Sequence, residues 1–326
     1  MISRAWNAAE LQADPAWIYV LSPEELQEVD AAVAASEGVA VEELEASDFP
    51  LPTLAATIAS RFLEQLEHGL GTVLIRGLPV DLYPERTLPR LLHGLGLYFG
   101  TARPQSPAGE LLHEVRTGDD PTRRGTRTAA GLNLHNDPCD VTALLCVRQA
   151  AQGGASQVVS SLAVRAALGD APELLEALHD DYPSTLPLPG CDIGPELLRR
   201  PIFAREAGRF VCNLAPHFIE QALADPEVPD ISARQAEALQ AFRNLARSAT
   251  LCHEFMLQPG DLWLVNNYLT LHARRPFTDG STVETQRLLL RLWLAVPNSR
   301  PLPESYRGLY RATEAGAVRG GYPLAD

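Results

Sequence analysis

The 326-residue chain is short of several things, and each shortage excludes something. It has no CxxC pair. Its five cysteines (139, 146, 191, 212 and 252) form an odd, unpatterned set, which argues against a disulfide framework or a zinc knuckle and for small buried thiols in a reducing compartment. Positive charge is scarce. The 27 Lys and Arg against 41 Asp and Glu leave a net charge of −14, which disfavours nucleic acid and anionic membrane as partners. No apolar run nears the roughly 20 residues of a membrane span. The opening segment MISRAWNAAELQADPAW lacks the continuous apolar stretch of a secretory signal. No Gly-rich phosphate motif, internal repeat or low-complexity tract is present. The expectation is a cytoplasmic protein with a small-molecule partner; the sequence says nothing of its oligomeric state.

The composition that remains, 46% hydrophobic and 21% charged, is globular and sufficient for a sizeable core, read here as one domain over residues 1–326. TLAATIASRFLEQLEH (53–68) puts Leu54, Ile58, Phe62 and Leu66 on one helical face, with Gly69 as a stop. TVLIRGLP (72–79) reads as a buried strand and 88–98 as a helix. The Gly, Pro, Thr and Arg of 102–131 read as a long loop. LNLHNDPCDVTALLCV (132–147) predicts two extended pieces around a turn at Asn136–Pro138. Hairpins are expected at 201–214, turning at Glu206–Gly208, and at 253–267, turning about Pro259–Asp261. Helical pattern in 161–180 and 231–248 marks a helical insertion over about 161–250, with Leu239, Phe242 and Leu245 or Ala246 inward. Short hairpin-linked strands that do not alternate with helices favour an antiparallel sandwich or barrel with helices outside, an α+β fold with a core over about 54–300.

The chemistry begins at LHND. On an extended segment His135 and Asp137 point to one side and can converge on one cation. The pair alone is weak, since a solvated turn would read the same way. A third ligand is best sought at His272, directly after the apolar LWLVNNYLTL, with His253 as its rival. Two histidines and a carboxylate on one face of a metal leave positions open, the signature of non-haem Fe(II) oxygenases. The second clue is QRLLLRLWLAV (286–296). As a strand it places Arg287, Leu289, Arg291 and Trp293 on one face and four leucines on the other. Buried guanidinium needs an anion, supplied either by nearby Asp or Glu or by a small carboxylate co-substrate.

These features are similar to the taurine dioxygenase and 2,4-dichlorophenoxyacetate dioxygenase family of Fe(II)/2-oxoglutarate-dependent oxygenases. The matching segments are GLNLHNDPCDVTALLCVRQAAQGGASQVVSS, LQPGDLWLVNNYLTLHARRPF and RLLLRLWL, with weaker similarity in LGTVLIRGLP and YFGTARPQSPAGELL. The resemblance implies a double-stranded β-helix of jelly-roll type. It implies Fe(II) held by His135, Asp137 and His272, with O2 and 2-oxoglutarate as co-substrates. Arg287 would take the distal carboxylate of 2-oxoglutarate, Arg291 would help at the end that chelates iron, and Ser156 of GGAS would stand where relatives often carry Thr. The implied reaction is hydroxylation of an unactivated C–H bond of a small amino-acid-like or carboxylated metabolite, with release of succinate and CO2 and no catalytic residue beyond the iron centre. Desaturation, ring closure and epimerisation use the same site. The intact carboxylate of Asp137 disfavours halogenation. A zinc or manganese isomerase or hydrolase in a cupin-like barrel would leave the arginines unexplained, and the complete triad argues against a non-catalytic ligand-binding barrel. The chain departs from the pattern at Asn136 and at ARR after His272, where Arg274 matches and Arg275 does not. Asn136, Arg274, Arg275 and Gln105 are the candidate substrate contacts, and Asp140 is an acid that would suit a cationic substrate.

Overall fold

The computed structural model describes residues 3–118, 128–185 and 197–322. Its strands are, in chain order, β1 (Ile18–Val20), β2 (Thr72–Arg76), β3 (Thr101–Arg103), β4 (Leu112–Val115), β5 (Leu132–His135), β6 (Val141–Arg148), β7 (Gln152–Gly153), β8 (Ser156–Ser160), β9 (Asp181–Ser184), β10 (Leu198–Pro201), β11 (Phe203–Glu206), β12 (Arg209–Cys212), β13 (His253–Phe255), β14 (Leu262–Asn266), β15 (Thr270–Arg274), β16 (Phe277–Thr278) and β17 (Leu288–Ala295). The larger sheet runs β1-β2-β14-β6-β17-β3, with β4 also on β17; the smaller runs β13-β8-β15-β5.

Alternation along these strands builds the layers. In β6, Val141, Ala143, Leu145 and Val147 join Leu288, Leu290, Leu292 and Leu294 of β17 against helix Leu88–Phe99 and the helical run 54–68. The opposite parity, Leu144 and Cys146 with Trp263 of β14 and Leu289 of β17, meets Val158 of β8 between the two sheets. The far face of the smaller sheet, with Leu134, Val159, Leu271 and Ala273, lies under the insertion, where Phe242 and Ala246 are buried and Leu245 is only partly so. The result is the two-sheet jelly-roll arrangement with flanking helices that the pattern predicts.

Several expectations hold in detail. Leu54, Ile58, Phe62 and Leu66 are each at most 1% exposed, although a π turn at Ile58–Phe62 interrupts the helix. The β11–β12 hairpin turns at Ala207 and Gly208, both with positive φ. The insertion is not wholly helical, since β9 to β12 lie within it. Cys191 lies outside the described residues; the other four cysteines are free and buried.

Two expectations are corrected. Residues 253–267 are not a hairpin: β13 pairs with β8 of the smaller sheet, whereas β14 pairs with β2 and β6 of the larger. The Pro259–Asp261 turn therefore carries the chain from one sheet to the other. Gly260 is required there, because a Cβ would lie 2.2 Å from the Leu78 carbonyl oxygen. The described part of 102–131 is likewise no featureless loop. It supplies β4 and most of β3, which pair along β17. Edge strands whose partner lies some 180 residues away leave no local signal.

The body also reaches past 54–300. Trp6 and Trp17 join the cluster between the sheets. At the other end Arg319 donates to buried Asp140 at 2.7 Å, and Tyr322 stacks on Trp293 with ring centroids 6.4 Å apart.

Candidate metal centre

The two candidate ligand segments are both crossovers between sheets. Strand β5 ends the smaller sheet at His135, and the turn that follows leads to β6 in the larger. Strand β14 of the larger sheet leads to β15 of the smaller, where His272 lies directly opposite His135. The imidazole centroids are 4.4 Å apart. Asp137, on the first crossover, places Oδ1 3.7 Å from His135 Nε2 and Oδ2 3.5 Å from His272 Nε2. One potential ligand atom from each of the three lies within 4.8 Å of the others, and they are the only such group among the described residues. Two donors that each sit about 2.1 Å from one divalent ion are at most about 4.2 Å apart, so the Asp137 separations suit a shared ion. His253, the rival, instead stacks on Phe255 at 5.7 Å.

The protonation states suit a metal. Burial, and then the neighbouring His135, push the His272 pKa down, leaving a neutral ligand imidazole. Burial opposes ionisation of Asp137, but Arg291 and the two histidines outweigh it and hold the carboxyl well below its usual range. His135 Nδ1 lies 2.8 Å from the Asn133 carbonyl oxygen, which turns Nε2 toward the centre. One anion, two imidazoles and no fourth ligand among the described residues match an open metal centre rather than a closed structural zinc site.

Three residues that sequence reasoning missed hold Asp137 in place. Thr142 Oγ1 and Trp293 Nε1 donate to Oδ2 at 2.8 and 3.0 Å, and Asn267 Oδ1 accepts from the Asp137 backbone N–H at 3.0 Å. Trp293 shares the face of β17 that carries the arginines, which was the signal available for it. Trp293→Phe keeps the ring but removes the donor. It should weaken Fe(II) binding about 10-fold or more, as lost outer-shell hydrogen bonds do; unchanged affinity in a metal titration would mean that the indole serves only packing.

The arginines differ. Arg291 is the nearer to the centre: its Nη1 lies 3.7 Å from Asp137 Oδ1, and its Nε donates to Gln105 Oε1 at 2.6 Å. Arg287 is 5% exposed, forms no ion pair among the described residues, and has Nη1 buried without a hydrogen-bond partner. Burial pushes its pKa down to about 10, only partly offset by Cys146 and Asp279. Arg274 is similar, pushed down to about 9 by burial and then by Arg287. Ser156 lies opposite Arg274 in the pairing of β8 with β15.

The candidate substrate contacts have partners within the chain, and one expectation, that Asp140 suits a cationic substrate, is corrected. Asn136 donates to the Thr270 carbonyl oxygen and accepts from the Leu214 N–H, so its amide ties the ligand turn to backbone. Gln105 holds Arg291 through both its amide oxygen and the Arg291 carbonyl. Arg275 is exposed and paired with Glu254. Asp140 is fully buried and paired with Arg319. Arg274 has Nε and Nη1 buried with no hydrogen-bond partner among the described residues.

A family model described as "Taurine catabolism dioxygenase TauD, TfdA family" matches residues 35–293. The chain belongs to that family. It is an Fe(II)- and 2-oxoglutarate-dependent dioxygenase. The dioxygenase is 32% identical over 319 residues to the FR-33289 synthase of Streptomyces rubellomurinus, covering 92% of this chain and 91% of that one. It is 26% identical to a taurine hydroxylase-like protein of Stachybotrys chartarum, over 88% and 77% of the two chains. Among solved structures it superposes on an asparagine oxygenase holding Fe(II), 3-hydroxyasparagine and succinate, with TM-score 0.68 and 19% identity over 94% of this chain and all of the other. It also superposes on the non-heme iron oxygenase OrfP holding Fe, succinate and (3S)-hydroxy-L-Arg, with TM-score 0.64 and 17% identity over 85% and 94%. These likenesses give the dioxygenase the double-stranded β-helix fold. No helix among its described residues is long and apolar enough to cross a membrane.

Proposed function

We propose that this dioxygenase hydroxylates an unactivated C–H bond of a small amino-acid-like or carboxylated metabolite, with 2-oxoglutarate converted to succinate and CO2. The observation that carries the reading is the convergence of His135, Asp137 and His272, together with Arg287 on the arginine face of β17, a buried guanidinium that forms no ion pair among the described residues. His135, Asp137 and His272 bind Fe(II). Arg287 takes the distal carboxylate of 2-oxoglutarate, with the Ser156 hydroxyl beside it, and Arg291, held by Gln105, serves the chelating end. Bound iron supplies the activation of O2. The protein's share is to orient both organic molecules and to keep water out.

The family match over most of the chain supports reading 1–326 as one oxygenase domain. The substrate class draws on the two structural neighbours, whose bound products are hydroxylated amino acids. Asp137 supplies the anionic ligand throughout, which favours hydroxylation over halogenation. The test is a screen for substrate-dependent succinate release over amino acids and small carboxylic acids, followed by product mass. A gain of one oxygen in a hit supports the reading. No stimulation by any amino or carboxylic acid, in enzyme that binds Fe(II) and 2-oxoglutarate, would refute the substrate class.

A further inference from the structure

We propose that Arg274 joins Arg287 in binding the distal carboxylate of 2-oxoglutarate, so that this subsite is a clamp of two guanidinium groups rather than one. The inference rests on the assignment of Arg287 above and adds a second residue to it.

Both side chains are buried, Arg274 at 4% and Arg287 at 5% exposure. Both lie on the Phe277 ring, with guanidinium carbons 4.6 and 5.3 Å from its centroid. Nε and Nη1 of Arg274 and Nη1 of Arg287 are buried with no hydrogen-bond partner among the described residues. Strand parity puts Arg274 on the same inner face of β15 as His272, and the register sets it opposite Ser156.

The nearby acid forms no ion pair with either guanidinium. Asp279 spends Oδ1 on the Arg287 backbone N–H and Oδ2 on the Thr117 hydroxyl. Two like charges withdrawn from water cost far more than one, and they persist only where something compensates them. The Nη2 of Arg274 is already fixed by the Thr128 and Ala130 carbonyl oxygens at 2.5 and 2.7 Å, which leaves Nε and Nη1 as its free donors. A carboxylate between the two groups would supply the missing anion and the missing acceptors together. The clamp would also set co-substrate choice. A 2-oxo acid of equal length without the second carboxylate would leave both cations buried and unpaired, and would bind more weakly.

The test is anaerobic calorimetry of 2-oxoglutarate and of 2-oxovalerate binding to the Mn(II)-loaded full chain, for the parent, Arg274→Gln, Arg274→Lys and Arg287→Gln. Thermal melting and Mn(II) titration serve as folding controls. Arg274→Gln should weaken 2-oxoglutarate by about tenfold or more while changing 2-oxovalerate by less than about twofold. Arg287→Gln should show the same selectivity, and Arg274→Lys a smaller one. Equal weakening of both acids by Arg274→Gln would make Arg274 a prop for residues 128–131 and overturn the proposal, as would no effect on either. If Arg274→Gln fails to fold, Arg274→Lys decides by the same comparison. A selective loss in Arg287→Gln alone removes only Arg274 from the subsite. No loss in Arg287→Gln would instead bring down the assignment of Arg287 itself.

Discussion

Asp137→Ala should abolish coupled turnover, with succinate release falling by about 10³-fold or more while the protein stays folded. The side chain is the one anion among the three candidate ligands, and its carboxylate is held ionised by Arg291 and the two histidines. Alanine removes both the charge that attracts the ion and the group that Thr142 and Trp293 orient. Those two donors would be left facing a void, at a cost of about 1–3 kcal/mol each. A lower melting temperature is therefore expected beside the loss of metal. Removal of an outer-shell partner of a metal ligand already costs about 10- to 100-fold, and loss of the anionic ligand itself should exceed that. Fe(II) or Mn(II) titration, read with succinate release at saturating 2-oxoglutarate, checks the prediction. Full turnover in the variant would place the metal elsewhere.

Arg287→Met should raise the 2-oxoglutarate requirement about 10²-fold and yet leave the ligand-free protein as stable as before, or more stable. The two effects share one cause. A buried guanidinium with no ion pair among the described residues is a cost to the empty protein, visible as a pKa pushed down to about 10. It becomes an asset only when a carboxylate arrives. Truncating one partner of such a desolvated pair costs about 2–5 kcal/mol of binding, and about 3 kcal/mol is roughly a factor of 10². Methionine fills similar volume without the charge, so the melting temperature without co-substrate should hold or rise. Binding isotherms and melting curves check both halves. A variant that melts lower and binds 2-oxoglutarate unchanged would return Arg287 to a structural role.

The legible parts of the chain were those where one residue's neighbours in sequence are also its neighbours in space. The leucine and arginine faces of β17 follow from alternation alone, and the structure packs the leucines against helices and turns Leu289 toward the space between the sheets. His135 and Asp137 could be paired for the same reason. The turn at Pro259–Asp261 shows where that logic stops. Its residues announce a turn, but not whether the strands on either side pair with each other. Here they do not, because each finds a longer-range partner in a different sheet. The partners of Asn136 and Gln105 were illegible for a related reason. Polar residues near a site look available until the backbone that consumes their hydrogen bonds, 78 and 186 residues away, is in view.

By itself, then, the sequence determined the chemistry's vocabulary: two histidines and an aspartate at the mouths of apolar strands, and two arginines in a leucine strand. Only the tertiary structure decided how these are used. It set His272 opposite His135 across β15 and β5, supplied Trp293 and Thr142 to hold Asp137, and separated Arg291, engaged by Asp137 and Gln105, from Arg287 and Arg274, left without ion pairs among the described residues. The physical reason is that alternation along a strand fixes which face a side chain takes. Which other strand lies across that face, and whether it brings a charge, is fixed by pairing between segments more than a hundred residues apart.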